Sequence, residues 1–223
     1  MLLCLFLVCS RVSRFGPIIT GISPEFTPFR GRNRQQWREG AQVGTKLKKT
    51  VVLVGLMGAG KTAVGTALAR RLGAPFLDSD AEIVKAANMT IPEIFARDGE
   101  AFFRAREAEV IARLLRAAPG VLSTGGGAFM GAANREAISE LGVSVWLDAG
   151  LDLLWQRVRH KDTRPLLRTP DPYATLAGFY HERRPVYAQA DLAVRADPGY
   201  SVEDMAGRVI EALKTRPDVL EAA

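Results

Sequence analysis

Residues 51–62 read VVLVGLMGAGKT, and this stretch decides the fold. Its first four residues are β-branched or apolar, which predicts a buried strand. The run breaks at Gly55, where the pattern G-x-x-x-x-G-K-T begins. Apolar residues then recur at helical spacing from Ala63 to Leu72. A glycine loop between a strand and a helix is the setting in which this pattern forms a phosphate-binding P-loop.

The residue types in the loop suit a nucleoside triphosphate. Glycines let backbone N–H groups turn toward phosphate oxygens, and the following helix adds the positive end of its dipole. Lys61 can reach the β- and γ-phosphates, and the Thr62 hydroxyl can bind Mg²⁺. This chemistry favours nucleotide binding over a merely structural glycine turn. The predicted ATP contacts in the loop are Gly58, Ala59, Gly60, Lys61, Thr62 and Ala63.

The formal net charge of +6 is unevenly distributed along the 223 residues. Residues 1–49 hold nine basic and two acidic residues, whereas residues 50–223 hold 21 basic and 22 acidic residues. The body of the protein is therefore close to neutral, which predicts no nucleic-acid partner. Both cysteines, Cys4 and Cys9, lie in the first segment, so the body has neither a disulfide framework nor a thiolate metal site.

Residues 1–49 are interpreted as a disordered or non-native extension. Met1–Ser10 is apolar but too short to span a bilayer, and it lacks the positively charged start of a secretory signal. Residues 21–45 read as disordered. A transit peptide, a secretion signal and translated sequence upstream of the true start all stay open. The last is favoured, with a native start near Val43, because the fold is predicted to need nothing before Thr50.

Strand and helix patterns alternate beyond the P-loop. Short apolar stretches predict strands at Pro75–Leu77, Val121–Ser123, Val143–Leu147 and Leu192–Val194. Helices are predicted at Ala81–Ala87, after the start signal Thr90-Ile91-Pro92 and after Asp98-Gly99. Further helices are predicted near Ala132–Leu141 and Leu151–Val158, at Tyr173–Ala190 with a break near Pro185, and at Val202–Leu213. The alternation predicts an α/β class, three-layer P-loop NTPase fold, with a mainly parallel five-stranded sheet and helices on both faces.

Three polar segments directly follow predicted strands: the P-loop, Asp78-Ser79-Asp80 and Gly125-Gly126-Gly127. Ligands of parallel sheets bind at the carboxyl ends of the strands, so these segments should meet at one rim. Carboxylates beside a P-loop can hold Mg²⁺ or orient the attacking hydroxyl of an acceptor. Asp78 is accordingly assigned to the metal with Thr62, and Asp80 to the acceptor.

Several of these residues also have purely structural interpretations. Helix N-capping can account for one of residues 78–80, and Asp148 can cap the helix that follows it. Glu100 and Arg104 have the spacing of a solvated helix pair worth ~0.3–0.5 kcal/mol. The charge pair Arg183-Arg184 at a helix end is usually solvent-facing. Spacing alone leaves these alternatives open.

The combination of motifs resembles the shikimate kinases over residues 50–223. The matching segments are GLMGAGKT at 55–62, DSD at 78–80, GE-x-x-FR-x-x-E at 99–107, TGGG at 124–127, RPLL at 164–167 and ERRPVY at 182–187. Gluconate kinases and nucleoside monophosphate kinases share the P-loop but not this combination. The one departure is Ala63, where relatives often carry a second hydroxyl residue.

The resemblance implies that the acceptor pocket binds shikimate. Asp80 would bind the ring hydroxyls beside Gly125, Gly126 and Gly127. Arg104 and Arg183 would clamp the carboxylate, for which a guanidinium fork is well suited. Arg183 is preferred to Arg184 because it lies two residues before Pro185, as the family pattern requires.

The resemblance also implies roles on the nucleotide side. Arg157 would pack on adenine, and the loop Arg159–Pro172 would be a mobile lid. Arg164, in that loop, would bind ATP and close over the transferring phosphate. The catalytic residues would then be Lys61, Asp80 and Arg164.

The implied activity is ATP- and Mg²⁺-dependent phosphorylation of the 3-hydroxyl of shikimate in aromatic amino acid biosynthesis. The implied enzyme is a cytoplasmic monomer whose partners are ATP and shikimate, without nucleic acid or membrane. Another small-molecule kinase, such as a gluconate kinase, stays open, because paired arginines indicate a carboxylate without naming the ring. A nucleotide-dependent switch is the alternative in a different class, although the N-K-x-D motif of guanine-specific GTPases is absent.

Overall fold

The computed structural model describes residues 46–160 and 165–221. The strands are β1 (Lys46–Leu47), β2 (Thr50–Val54), β3 (Phe76–Asp78), β4 (Val121–Ser123), β5 (Gly142–Asp148), β6 (Leu192–Arg195) and β7 (Leu220–Glu221). The helices are α1 (Lys61–Leu72), α2 (Ser79–Ala87), α3 (Ile91–Leu115), α4 (Ala132–Leu141), α5 (Leu151–Val158), α6 (Pro172–Tyr187) and α7 (Val202–Leu213), with short 3₁₀ turns at Ala128–Met130 and Pro165–Leu167.

Five parallel strands form the central sheet in the order β3-β4-β2-β5-β6. Strand β2 lies in the middle and is buried along its whole length, which explains its unbroken apolar sequence. After β2 the chain moves to β3 at one edge of the sheet, and after β3 it moves back in the opposite direction to β4. Because such connections are right-handed, α1 lies on one face of the sheet and α2 and α3 lie on the other. Helix α7 packs against α1, and α4 packs against α3. The predicted α/β class and five-stranded parallel sheet are confirmed.

Local signals at helix ends act as predicted. Thr90 begins α3 with a capping box, in which the Thr90 backbone N–H donates to Glu93 at 2.8 Å and the Glu93 N–H donates to the Thr90 hydroxyl at 3.4 Å. Gly99 adopts φ 81° and ψ 173° and interrupts this helix. The break predicted at Asp98-Gly99 is confirmed, because a left-handed φ is open to glycine.

The predicted break near Pro185 is wrong. Helix α6 passes through Pro185 and ends two residues later, at Tyr187 rather than Ala190. A proline removes a backbone hydrogen bond, but here the loss falls in the last turn, where few turns remain to be disrupted. Helix α2 likewise starts at Ser79 instead of Ala81, because Asp78 already caps it.

The predicted boundary at Thr50 is also wrong. Strand β1 pairs antiparallel with β7, with Leu47 opposite Leu220. The Lys48 N–H donates to the Val219 carbonyl at 2.8 Å, and Lys49 Nζ lies 3.1 Å from an Asp218 carboxylate oxygen. The residues just before β2 therefore fasten the end of the chain. The interpretations of residues 1–45 fall outside the described residues and stay predictions.

We expect a chain starting at residue 50 to be less stable than one starting at residue 44 by about 1–2 kcal/mol, because a few net hydrogen bonds are lost. Urea unfolding of the two truncated chains measures the difference. Equal free energies of unfolding would show that β1 adds nothing to the stability.

Within the described ranges, no helix is long and apolar enough to cross a membrane.

Candidate active site at the carboxyl edge of the sheet

A cleft of about 440 Å³ opens where β2, β3 and β4 end. The three polar segments predicted to meet at this rim all line it. The lining residues include Met57–Val64, Asp78, Asp80, Ser123–Gly126 and Arg157, together with Tyr200, Ser201, Val202 and Met205 from the start of α7. The last group came from no predicted motif. It forms part of the wall on the P-loop side.

The P-loop has the backbone conformation that its glycines allow. Gly58 and Gly60 adopt φ values of 86° and 94°. A methyl group on Gly58 would lie 2.7 Å from Val158 Cγ1, so close packing also excludes a side chain there. Helix α1 begins at Lys61 with no side-chain cap and no acidic residue in its first turn. Its positive end is therefore open to an anion.

Lys61 lies against the loop that precedes it. Its buried Nζ donates to the carbonyl oxygens of Gly55 at 2.7 Å and Leu56 at 3.1 Å. These contacts hold the ammonium group inside the curve of the loop. A phosphate bound there would meet a lysine that is already desolvated and oriented.

Three oxygen-bearing side chains meet beside the start of α1. Thr62 Oγ1 donates to Asp78 Oδ2 at 3.2 Å and lies 3.4 Å from Ser123 Oγ. Asp78 Oδ1 accepts the backbone N–H of Asp80 at 3.1 Å, so Asp78 both caps α2 and faces Thr62. Hydroxyl and carboxylate oxygens are the donors that Mg²⁺ prefers, with phosphate and water filling the remaining positions.

Ser123 was missed by sequence reasoning, although its place at the end of a predicted strand on the same rim could have indicated it. The part of the chain that the structure describes holds no group of three or more His, Cys, Asp or Glu side chains able to bind a metal by themselves. The Thr62 and Asp78 pair would therefore need substrate oxygens to complete an ion's coordination.

Asp80 and Arg104 approach the triple glycine from different helices. A methyl group on Gly125 would lie 2.7 Å from Asp80 Oδ1. One on Gly127 would lie 2.7 Å from Arg104 Nη2 and 2.8 Å from Nη1. A side chain on Gly125 or Gly127 would therefore displace a charged group that lies against the backbone. This brings a carboxylate and a guanidinium to one short loop.

Arg104 is held by two carboxylates on its own helix. It donates to Glu100 Oε1 from Nε at 3.3 Å and from Nη2 at 3.2 Å, which is the pair expected from their spacing. It also donates from Nη1 to Glu107 Oε2 at 2.8 Å, and Glu107 is only 1% exposed. The helix pair and the site interpretation are thus compatible, because Arg104 contacts both carboxylates and the glycine loop.

Burial raises the pKa of Glu107, although the hydrogen bond and charge of Arg104 oppose the shift. A carboxyl group whose pKa is raised in the folded protein contributes stability at pH values below its ordinary pKa of 4.5. That contribution is lost as the pH rises through the pKa of the folded state. The variant Glu107→Gln has no carboxyl group to ionise, so its stability does not fall in this way. We therefore expect its stability relative to the original protein to increase as the pH rises above 4.5.

Urea unfolding between pH 4.5 and 7 measures this difference. Glu109→Gln removes the exposed carboxylate that pairs with Arg106 at 2.8 Å and provides the control. A difference that stays constant with pH for Glu107→Gln would contradict the expected penalty of burying that charge.

The adjacent residues Arg183 and Arg184 have different surroundings. Arg184 makes two hydrogen bonds to Asp148, at 2.7 and 3.1 Å. Arg183 has a buried Nε without a hydrogen-bond partner, and its guanidinium lies 4.4 Å from the centre of the Phe179 ring. Arg183 is thus the member of the pair with a side-chain donor that makes no hydrogen bond within the described residues.

The interpretation of Asp148 as a helix cap is wrong. Gly150 precedes the first residue of α5, and no side chain caps that helix. Asp148 instead pairs with Arg184, which lies 36 residues away in sequence. Such a partner depends on tertiary packing and leaves no local sequence signal.

Tyr187 contacts the glycine loop through a hydrogen bond. Its hydroxyl donates to the Gly126 carbonyl, and its ring is 2% exposed between Phe129 and Trp146. Burial raises the pKa of Tyr187 to about 12, despite the opposing influence of Arg183 and Arg104. Tyr187 belongs to the ERRPVY motif, but the sequence alone predicted no role for it.

Arg157 extends from α5 to the P-loop. Its Nη1 donates to the carbonyl oxygens of Gly58 at 3.3 Å and Ala59 at 3.4 Å, and burial lowers its pKa. Arg164 lies outside the described residues, so its assignment stays a prediction. Farther along the same loop, Leu166 is exposed and Leu167 is buried.

The arrangement suits phosphoryl transfer to a small anionic acceptor. The phosphate-binding loop and Asp80 line the cleft, and Arg104 lies against the glycine loop, whose first two residues also line it. Catalysis of such a transfer depends mainly on positioning and charge stabilisation. Arginine in turn provides selectivity for carboxylates.

Comparison with known proteins gives consistent matches. A family model for shikimate kinase matches residues 57–214. The chain is 67% identical to a shikimate kinase of Cereibacter sphaeroides over 190 residues, covering 85% of this chain and 95% of that protein. It is 71% identical to one of Ruegeria pomeroyi over 175 residues, covering 78% and 90%.

Among solved structures, it resembles a shikimate kinase from Acinetobacter baumannii in complex with shikimate. The TM-score is 0.71 at 39% identity, and the match covers 75% of this chain and 93% of that chain.

Proposed function

This chain belongs to the shikimate kinase family, and from that premise we propose that it transfers the γ-phosphoryl group of ATP to the 3-hydroxyl of shikimate. The products are ADP and shikimate 3-phosphate, in a step of aromatic amino acid biosynthesis. The observation that carries the proposal is that the P-loop and Asp80 line one cleft, while Asp80 and Arg104 both lie against the glycine loop.

On the nucleotide side, P-loop amides and Lys61 hold the β- and γ-phosphates. Lys61 is poised for this because its Nζ already lies inside the loop. Mg²⁺, when bound by Thr62 with Asp78 nearby, supplies charge neutralisation for the phosphates. The contact of 3.2 Å between those two side chains supports the assignment.

On the acceptor side, Asp80 orients the hydroxyl and accepts its proton. The backbone of Gly125, Gly126 and Gly127 lies along the ring, and Arg104 and Arg183 bind the carboxylate. The contacts of Asp80 and Arg104 with this loop, and the unpartnered Nε of Arg183, support these roles. The guanidinium groups would then fix the ring so that its hydroxyl meets the phosphate in line.

The loop Arg159–Pro172 closes over the bound substrates as a lid. Arg164 stabilises charge on the transferring group, and Arg157 packs on adenine. Closure excludes water and so limits wasteful hydrolysis of ATP. Arg157 supports this arrangement because its guanidinium already donates to the P-loop carbonyl oxygens of Gly58 and Ala59. We propose a cytoplasmic monomer as the working enzyme.

The test is ADP release by the full chain with Mg²⁺-ATP, measured with shikimate, gluconate or nucleoside monophosphates. Stimulation by shikimate alone, with a product phosphorylated at the 3-hydroxyl by phosphorus NMR, is expected. Stimulation by gluconate alone would support the other kinase class. Nucleotide binding without stimulation by any acceptor would favour a switch and overturn the proposal.

A further inference from the structure

Helix α6 carries the two adjacent arginines, which point about 100° apart around its axis. Only one of them can therefore face the acceptor at a given rotation of the helix. Arg183 is the member assigned to the acceptor. A contact elsewhere on the helix has to set the rotation that favours Arg183.

The surroundings of Arg184 form a built site for a guanidinium. Asp148 accepts hydrogen bonds from both terminal nitrogens of Arg184, at 2.7 and 3.1 Å. Tyr180 Oη accepts a further hydrogen bond from Arg184 Nη1 at 2.5 Å. The guanidinium also lies 5.1 Å from the centre of the Trp146 ring. Bidentate contacts of this kind restrict geometry as well as contributing energy. Arg184 is thus bound to β5 in one orientation.

Strand β5 provides a rigid base for this contact. Asp148 is its last residue, and β5 pairs with β2, the strand that leads into the P-loop. The side chain of Asp148 is only 16% exposed, whereas that of Arg184 is 42% exposed. The anchor is therefore the buried carboxylate on the sheet, and the helix is the element that it positions.

A second contact holds the same face of α6 one turn later. Tyr187 donates to the Gly126 carbonyl. Arg183 lies close enough to the Tyr187 hydroxyl to oppose the rise that burial causes in its pKa. Both anchored residues, Arg184 and Tyr187, therefore lie within about one turn of Arg183 on the helix.

We propose that Asp148 is a positioning residue for acceptor binding, which holds α6 through Arg184 so that Arg183 faces the glycine loop. The inference rests on the proposed function, because it concerns the affinity for shikimate. Loss of the Asp148 charge frees Arg184 and removes the contact that fixes the rotation of the helix. Shikimate binding should suffer selectively, since neither residue belongs to the phosphate-binding loop.

The experiment measures kcat and KM for shikimate and ATP in Asp148→Asn, Arg184→Gln and the double variant. Each single variant should raise the shikimate KM about tenfold, with kcat changed less than about threefold and the ATP KM unchanged. The double variant should be no worse than the more severe single variant, because both changes break one contact. Glu109→Gln, which breaks an exposed arginine pair of α3 outside the cleft, should behave like the original protein.

An unchanged shikimate KM in folded Asp148→Asn would overturn the inference. So would an equal rise in both KM values, which indicates general loosening, or additive effects in the double variant. If Asp148→Asn does not fold, Arg184→Lys is the substitute, because it keeps the positive charge but cannot make the bidentate contact with Asp148. Its KM for shikimate must rise in the same selective way, and an unchanged KM would also overturn the inference. Failure of the original protein to respond to shikimate would instead count against the proposed function.

Discussion

Replacing Asp80 with asparagine is expected to lower the shikimate-dependent rate of ADP release about a thousandfold, within the range of general base catalysis. The amide preserves the size of the side chain but removes the charge that is proposed to orient the acceptor hydroxyl and take its proton. Asp80 lies beside Gly125 in the cleft, whereas Lys61 and Thr62 line the P-loop part of it. Binding of Mg²⁺-ATP should therefore change little.

Turnover and the dissociation constant of Mg²⁺-ATP are the two quantities to measure. Glu82→Gln is the matched control, because Glu82 is the other acidic residue in the first turn of α2. It shares the charge effect on the helix end but contacts Arg113 instead of the cleft, at 3.7 Å. Unchanged turnover in Asp80→Asn would remove Asp80 from the mechanism.

Replacing Gly127 with alanine is expected to raise the KM for shikimate about thirtyfold, because small misplacements of binding groups are costly. The added methyl group would lie 2.7 Å from Arg104 Nη2, so the guanidinium has to move. The backbone of Gly127, with φ −99° and ψ −13°, is open to alanine. The fold should thus survive while the carboxylate clamp is displaced.

Steady-state kinetics and thermal unfolding separate these two effects. Gly131→Ala is the control, since its methyl group would meet nothing closer than 3.5 Å. It should leave both the KM and the melting temperature nearly unchanged. A normal shikimate KM in Gly127→Ala would mean that Arg104 does not bind the acceptor from the position seen here.

The central features of the fold were predictable because they depend on local patterns. A strand buried on both faces, such as β2, has an unbroken apolar sequence, and the glycine pattern after it admits few other structures. Helices α4, α5 and α7 lie where the sequence patterns predicted them. The meeting of three segments at one rim followed from the parallel sheet alone.

The features that were missed depend on contacts between distant parts of the chain. Strand β1 has two residues, too few for any periodicity, and forms only because β7 returns beside it. The partner of Asp148 and the burial of Glu107 likewise appear only after helices pack. Tyr187 could be quoted within a motif, but its contact with the Gly126 carbonyl spans 61 residues.

The pairing of β1 with β7 brings the two ends of the folded unit side by side, with Lys46 opposite Glu221. A short linker could therefore join them, and the chain could be opened elsewhere to give a circular permutant. The exposed turn at residues 116–119 is suited to the new ends, because it precedes β4 and so lies at the edge of the sheet opposite the cleft. Such a rearranged protein would keep the strand order while moving its termini away from β1 and β7.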